Sequence, residues 1–355
     1  MTVELRIAQN KDAKEWDAII SQSPHGTLFH QWEWLKITEK HTLTKVYPLM
    51  GMINGDCIGV FPLFFQKKGP ARMVFSPPPH AAIFYLGPVM VRNESIRQEK
   101  WENLYGAFLQ SVEDFIVNDL KGNFISFSLS PNLQDPRPFS WSGYTIEPNF
   151  DYAVDLSSGT EYLYSTLDRK QRADLKRAEG KGMTVEIGDK SEFEIILDLM
   201  DIRYTQQAKI VTASRNYFLD IYEAFKENLK IFVVKFEGKV ITGTIDLEYK
   251  NTLYCWIGNP KPMNPISPSP NDLLISECVR YASENGLKYH TTFGAAGNER
   301  LHTYYATKFN PGLIVRYTIS KKSFLTTLLK EGYTNILKPI RGKIKQLKSE
   351  EQVPN

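Results

Sequence analysis

The chain has 355 residues, of which 42% are hydrophobic, 23% charged and 12% aromatic, a composition typical of a globular protein with a sizeable core. Its formal net charge is +3, yet residues 321–348 alone hold eight Lys or Arg and one Glu, so the rest is near neutral. A general nucleic-acid binder carries its basic face on the folded body, so this distribution argues against DNA as a partner.

Hydrophobic periodicity and turn residues divide the first part of the chain into short alternating elements. We predict a strand at 2–8, helices at 11–22 and 27–40, a β-hairpin turning at Asn54-Gly55, a helix at 95–118 and a strand at 124–129. Residues 132–149 are polar and contain Pro and Gly, and are predicted to form a linker.

The second part begins with a strand at 150–157. Ser158 and Glu161 have capping-box spacing, which predicts a single helix over 159–179. We then predict helices at 191–207 and 215–228, a three-stranded meander over 230–259, a helix from the N-cap Asn271 to Gly286, a strand at 287–295, a helix at 298–309 and a strand at 313–320.

The order hairpin, helix, strand occurs once in each part of the chain. This repetition predicts an α/β fold of two similar domains, 1–148 and 149–320, each a mixed sheet flanked by helices, followed by a basic tail at 321–355. Apolar residues of the tail follow helical spacing with basic residues between them. Such a segment can lie on an anionic membrane surface, or dock on the body with its basic face in water.

Several residues are candidates for chemistry on their own. Asp246 lies on a predicted strand, where a carboxylate can accept a proton directly or through water, unless it is only a solvent-facing strand residue. Trp256 can line a pocket or pack in the core. The start of the helix at Asn271, Asp272 and Leu273 presents free backbone N–H groups that can bind an anion.

Other site classes are excluded by pattern. The histidines and the three cysteines have no metal-ligand spacing, so no metal site is predicted. P-loop, nucleophile-elbow and dinucleotide motifs are absent. The unpaired cysteines, the lack of a signal pattern and the lack of a span of ~20 apolar residues predict a cytoplasmic protein.

Three stretches resemble the Fem-type acyltransferases (FemAB/FemX-like, with a BioF2-like acetyltransferase domain). They are "TLFHQWEWLKI", "LDRKQRADLKRAEGKGMTVEIG" and "LLISECVRYASENGLKYHTTFGAAG…YYATKFN", and they occur in the family's order. The resemblance implies two tandem GNAT-like domains. It also implies transfer of an acyl or aminoacyl group to an amine of an amino sugar, an amino acid or a cell-envelope precursor.

The resemblance assigns roles to particular residues. Lys308 matches the family lysine after the glycine turn and is expected to be catalytic, with Tyr304 or Tyr305 beside it. Lys36 and Arg172 are expected to bind an acceptor such as a sugar diphosphate. Altogether the expected catalytic residues are Lys308, Tyr304 and Asp246, the substrate-binding residues Lys36, Arg172, Trp256 and Tyr305, and the donor-binding residues Asn271, Asp272 and Leu273.

The chain departs from the family pattern in three places. It has no pair of long polar helices that could form a tRNA-binding arm, so tRNA is not the expected partner. The segment before Asn271 has no glycine, and Thr292 stands where the family has Asp. The expected co-substrate is an acyl-CoA or acyl-carrier thioester, with no permanently bound cofactor. An aminoacyl-tRNA-dependent ligase and a non-catalytic ligand-binding module remain alternatives.

Overall fold

The computed structural model describes residues 2–91, 96–207, 213–258, 260, 262, 265–292 and 304–322. The strands are β1 (Glu4–Ile7), β2 (Lys45–Ile53), β3 (Asp56–Lys68), β4 (Ala71–Ser76), β5 (Val89–Met90), β6 (Phe124–Ser128), β7 (Thr145–Asp155), β8 (Thr184–Ile187), β9 (Leu229–Phe236), β10 (Lys239–Tyr249), β11 (Thr252–Gly258), β12 (Tyr289–Thr292) and β13 (Gly312–Lys322). The α-helices are α1 (Ala13–Gln22), α2 (Trp32–His41), α3 (Gln98–Asp114), α4 (Arg137–Trp141), α5 (Gly159–Thr166), α6 (Arg169–Gly180), α7 (Lys190–Gln206), α8 (Arg215–Phe225) and α9 (Pro270–Glu284).

All thirteen of these strands belong to one sheet, whose main path runs β1-β2-β3-β4-β6-β13-β7-β12-β11-β10-β9-β8. Most pairs are antiparallel, but β4 pairs parallel with β6 and β11 pairs parallel with β12. The two parallel pairs occupy equivalent places in the repeated hairpin, helix, strand order. The predicted α/β fold with mixed sheets and flanking helices is therefore confirmed.

The last strand joins the two parts of the sheet. β13 lies between β6 and β7 and is antiparallel to both. β7 runs through residues 145–155, so its first five residues lie in the segment predicted as linker and the other six in the strand predicted at 150–157. The linker prediction was wrong for 145–149, because these residues pair with β13, which is distant in sequence. The domain boundary at 148 stays a prediction, and β7 runs across it.

The helix predicted over 159–179 is two helices. Ser158 makes no side-chain cap bond, so the capping box proposed with Glu161 is wrong. The capping box lies instead at the start of α6. There the Asp168 carboxylate accepts from the Gln171 backbone N–H at 2.7 Å, and the Gln171 side-chain oxygen accepts from the Asp168 backbone N–H. α9 begins two residues earlier than predicted, with Ser269 as N-cap in place of Asn271 and Pro270 in the first turn.

One apolar core connects the N-terminal and C-terminal parts of the chain. The Trp34 indole of α2 donates to the Tyr217 hydroxyl of α8 at 3.0 Å and packs edge-on against Trp256 of β11, with ring centroids 5.3 Å apart. At the edge of this core, the Lys250 ammonium donates to the carbonyl oxygens of Ile20, Ser23 and Gly26 at 3.0, 2.6 and 3.0 Å. These contacts hold the two parts together around a cleft.

Candidate active site

The candidate site is built around the first turn of α9. Asp272 stands in that turn, where its negative charge is favoured by the helix dipole. The Tyr304 hydroxyl donates to Asp272 Oδ1 at 2.6 Å, and the Lys308 Nζ lies 3.1 Å from the same oxygen. The Lys308 ammonium also lies 4.8 Å from the centroid of the Tyr304 ring. The structure thus brings together two predicted catalytic residues and one predicted donor-binding residue.

Burial determines the electrostatics of this cluster. The Lys308 side chain is 11% exposed, and the Asp272 carboxylate compensates the removal of its ammonium from water. Burial, reinforced by the charge of Asp272, raises the pKa of the Tyr304 phenol far above its ordinary value. Tyr304 therefore stays protonated and serves as a hydrogen-bond donor that orients the carboxylate. In so dry a place the ammonium acts strongly on any nearby negative charge.

The parallel strands β11 and β12 run below α9. Their pairing is described up to Cys255 and Thr292. A cavity of about 10 Å³ lies here, lined by His290, Thr292, Tyr305 and Lys308 among others. Tyr305 packs edge-on against Tyr304, with ring centroids 5.1 Å apart, so it belongs to the same corner.

A large cleft of about 1170 Å³ opens between the two parts of the chain. Thr292 and Phe309 line both this cleft and the small cavity, so the Lys308 corner adjoins the cleft. The other lining side chains are mostly hydroxyls, amides, aromatic rings and two carboxylates, among them Tyr85, Ser130, Asn132, Asp151, Asp155, Tyr254 and Thr291. Ser130 and Thr291 are buried, and their hydroxyl oxygens have no hydrogen-bond partner within the described part of the chain.

Asp246 is fully buried rather than solvent-facing. Its Oδ1 accepts from the Thr244 hydroxyl at 2.6 Å, and its Oδ2 lies 3.8 Å from His290 Nε2. Burial raises the pKa of the neighbouring Cys255 and Cys278 thiols, and the charge of Asp246 adds to the effect. The sequence did not single out His290, because a histidine on a strand has no local feature that marks a buried carboxylate beside it.

The remaining predicted residues are not at this corner. Lys36 forms an ion pair with Glu39 and lines a separate pocket of about 320 Å³ between α2 and β1. Arg172 donates to the carbonyl oxygens of Leu167 and Ser165, so it caps the end of α5. The expected cationic mouth made of Lys36, Arg172 and Lys308 is therefore absent, because the first two are held by contacts within their own neighbourhoods.

Burial and hydrogen bonds describe the surroundings of three more predicted residues. Trp256 is 3% exposed, and its indole N–H donates to the Ala82 carbonyl at 2.8 Å, so the ring packs in the core instead of lining a pocket. Leu273 is 3% exposed, so only its backbone can contribute to a donor site. Asn271 Oδ1 accepts from the Thr242 hydroxyl at 3.0 Å at the start of α9. The glycine turn at 294–297 lies outside the described residues.

The described residues contain neither a membrane-spanning helix nor a metal-binding cluster. No helix within them is both long and apolar enough to cross a membrane. No three His, Cys, Asp or Glu side chains in these same ranges are arranged to hold a metal ion. The longest helices described, α3 and α7, have 17 residues each, so the described chain has no long helical arm.

This chain is similar to known proteins in sequence and in fold. The family described as "Acetyltransferase (GNAT) domain" matches residues 167–302. A curated relative, "Lipid II:glycine glycyltransferase" of Staphylococcus aureus (strain MRSA252), is 21% identical over 353 residues, covering 87% of this chain and 79% of its own.

Solved structures share the fold. "Crystal structure of FemX" aligns with a TM-score of 0.67 and 16% identity, covering 94% of this chain and 99% of that one. "Tandem GNAT protein from the clavulanic acid biosynthesis pathway (without AcCoA)" aligns with a TM-score of 0.53 and 10% identity, covering 90% and 97% of the two chains. These matches support the resemblance to the Fem-type acyltransferases, and the described chain has a double GNAT-like fold.

Proposed function

We propose that this protein transfers an acyl group from a thioester, acyl-CoA or acyl-carrier, to the amine of a lipid-linked cell-envelope precursor. The observation that carries the proposal is the cluster of Lys308, Asp272 and Tyr304 at the start of α9, beside a cleft of about 1170 Å³. The glycyltransferase relative, named for lipid II, supports a precursor of this kind as acceptor, and the GNAT domain match supports a thioester as donor.

The proposed chemistry follows from charge. The acceptor amine attacks the acyl carbonyl carbon, an N–C bond forms, and negative charge develops on the carbonyl oxygen. Lys308 stabilises that charge from a site where water is largely excluded, while Asp272 and Tyr304 keep the ammonium in position. The C–S bond then breaks, and the thiol leaves with a proton.

The walls of the cleft support an acceptor with both polar and apolar parts. Four large side chains on its rim remain well exposed, namely Tyr162 at 54%, Tyr289 at 44%, Leu313 at 58% and Val315 at 37%. Hydroxyl and amide groups deeper in the cleft can bind a saccharide or a peptide. An exposed apolar rim of this kind is typical of a binding surface.

The experiment measures thiol release by the full chain with acetyl-CoA and longer acyl-CoA donors, against amino sugars, amino acids and lipid II. Lys308→Ala is expected to lower turnover ~10²–10³-fold, the usual effect of removing one oxyanion-stabilising group. Lys239→Ala, which alters an exposed lysine on β10, is the matched control and is expected to retain full turnover.

The possible results separate the alternatives. Transfer from aminoacyl-tRNA in a parallel reaction, with no thiol release from any thioester, would replace the proposed donor. Full turnover by Lys308→Ala would remove Lys308 from the mechanism. Absence of both transfer and thermal stabilisation by every donor would favour a non-catalytic binding module.

We further propose that the basic tail, residues 321–348, brings the protein to an anionic membrane that holds the acceptor. Support comes from its sequence, since eight Lys or Arg and one Glu alternate with apolar residues, and all but its first two residues lie outside the described ranges. The full chain should co-sediment with vesicles that contain phosphatidylglycerol, and less so at high salt. Equal binding to neutral vesicles would refute an electrostatic contact.

A further inference from the structure

Two complementary ionisable groups face each other in the interior without completing a hydrogen bond. Asp246 is 0% exposed and His290 is 3% exposed. Asp246 Oδ2 and His290 Nε2 are 3.8 Å apart, and neither atom has another hydrogen-bond partner within the described ranges. Native interiors satisfy nearly all buried polar atoms, so a facing pair that is left open calls for a functional explanation.

The pair lies on the two strands on either side of β11. Asp246 belongs to β10 and His290 to β12, and β10 and β12 each pair with β11. The Oδ1 oxygen of Asp246 accepts a hydrogen bond from the Thr244 hydroxyl at 2.6 Å. This bond fixes the carboxylate so that Oδ2 is held toward the imidazole. A separation of 3.8 Å is too long for a direct bond, but catalytic hydrogen bonds are often long before substrate binds.

Four charged or titratable side chains from neighbouring elements lie near Asp246 and His290. Burial raises the pKa values of Cys255 on β11 and Cys278 on α9, so both thiols stay protonated beside Asp246. From the turn at 304–309, the phenol of Tyr305 and the ammonium of Lys308 line the same small cavity as His290. Lys308 is already paired with Asp272 on α9. Among these neighbours, Asp246 is thus the carboxylate that is free to face His290.

The pair is connected to the reaction corner. The cavity of about 10 Å³ beside His290 is close to the size of one water molecule. Thr292 lines both this cavity and the large cleft, and its hydroxyl is buried without a partner within the part of the chain described. Thr292 or one water molecule therefore offers a proton path from an amine bound beside Lys308 to the imidazole.

We propose that Asp246 and His290 form the proton-accepting pair for acyl transfer, an assignment that rests on the proposed function. As the N–C bond forms, the amine nitrogen loses its proton to the His290 imidazole, and Asp246 stabilises the imidazolium and fixes its orientation. When the C–S bond breaks, the imidazolium returns the proton to the departing thiolate. Both residues then end the cycle as they began it.

The first test compares His290→Gln and Asp246→Asn with Tyr105→Phe, which removes another buried hydroxyl without a partner far from the site. His290→Gln is expected to lower turnover about a hundredfold with little change in KM, and to abolish the acidic limb of the rate–pH profile. Asp246→Asn should lower turnover less and shift that limb. Tyr105→Phe should leave turnover and the profile unchanged. Unchanged turnover in His290→Gln, or loss through KM alone with the same profile, would overturn the proposal.

The second test needs no substrate. Nitrogen-15 spectra of the histidine rings in the full chain, assigned with His290→Gln, are expected to show His290 with a proton on Nε2, facing Asp246. Asp246→Asn should change the signals of that ring. A wild-type His290 with a bare Nε2, unaffected by Asp246→Asn, would overturn the pair whether or not turnover is found. A protonated and coupled His290 in a protein without turnover would instead count against the proposed function alone.

Discussion

His30 makes the stability of the fold depend on pH in a way that can be calculated. The residue is 0% exposed, and the backbone N–H and hydroxyl of Thr27 both donate to its Nδ1, at 3.2 and 2.8 Å. Because Nδ1 accepts, the proton is on Nε2, which faces the Gly87 carbonyl at 3.3 Å. In the folded state the His30 ring is therefore neutral.

The sign and size of the change in stability with pH follow from proton binding. Burial lowers the pKa of His30 from its ordinary value of 6.5 to about 3. Below pH 6.5 the unfolded chain takes up a proton that the folded chain refuses, so stability present at neutral pH is lost as the pH falls toward 3. At about 1.4 kcal/mol per pH unit, the loss between pH 7 and pH 4.5 amounts to about 2.5 kcal/mol.

Equilibrium urea unfolding followed by tryptophan fluorescence measures this loss, since the Trp16 indole donates to the His30 carbonyl at 2.7 Å. His30→Gln removes the titrating group, so its stability deficit relative to wild type should shrink by about 2.5 kcal/mol from pH 7 to pH 4.5. The exposed His80, changed to Asn, should keep a constant difference from wild type. A constant difference for His30→Gln would refute the reasoning.

Other contacts give shorter predictions. Lys250→Met leaves three carbonyl oxygens without their ammonium donor and should lower the free energy of unfolding by ~2–3 kcal/mol in urea titrations. An unchanged free energy of unfolding would mean that water replaces the donor. Asp168→Ala should cost ~1 kcal/mol because it removes the bond to the Gln171 N–H, whereas Ser158→Ala should cost nothing measurable; equal losses would contradict the assigned caps. Tyr304→Phe removes the donor to Asp272 and should lower turnover in the thiol-release assay, while an unchanged rate would reduce Tyr304 to packing.

Local chemistry made part of the fold predictable. The hairpin turn at Asn54-Gly55 has positive φ at both residues, 53° and 89°, which are the conformations that Asn and Gly tolerate best. The helix break at Leu167 was missed because helical periodicity continues through it, and only the Asp168 cap separates α5 from α6. The first five residues of β7, 145–149, were missed because this stretch is polar with a proline, and its partner β13 is distant in the chain.

The candidate site, like the fold, was predictable only in part. Lys308 and Tyr304 were predicted with Asp272, but not that all three meet, since Tyr304 and Asp272 are 32 residues apart in sequence. Arg172 was expected at the acceptor, yet its guanidinium bonds to carbonyl oxygens only five and seven residues earlier. The charge of a side chain is visible in a sequence, whereas the acceptor that it has already bound is not.

The absence of Lys36 and Arg172 from the cleft lining changes what the cleft can recognise. A sugar diphosphate requires cations, and the lysines that line the described cleft are Lys250 and Lys288. Lys250 already donates to three carbonyl oxygens, and Lys288 is exposed. The lining is instead rich in hydroxyl, amide and aromatic groups, with Asp151 held by Arg316 at 2.9 Å. Recognition of the acceptor should therefore depend on its saccharide or peptide part and on its amine, with a phosphate left to the rim of the cleft or to the membrane surface.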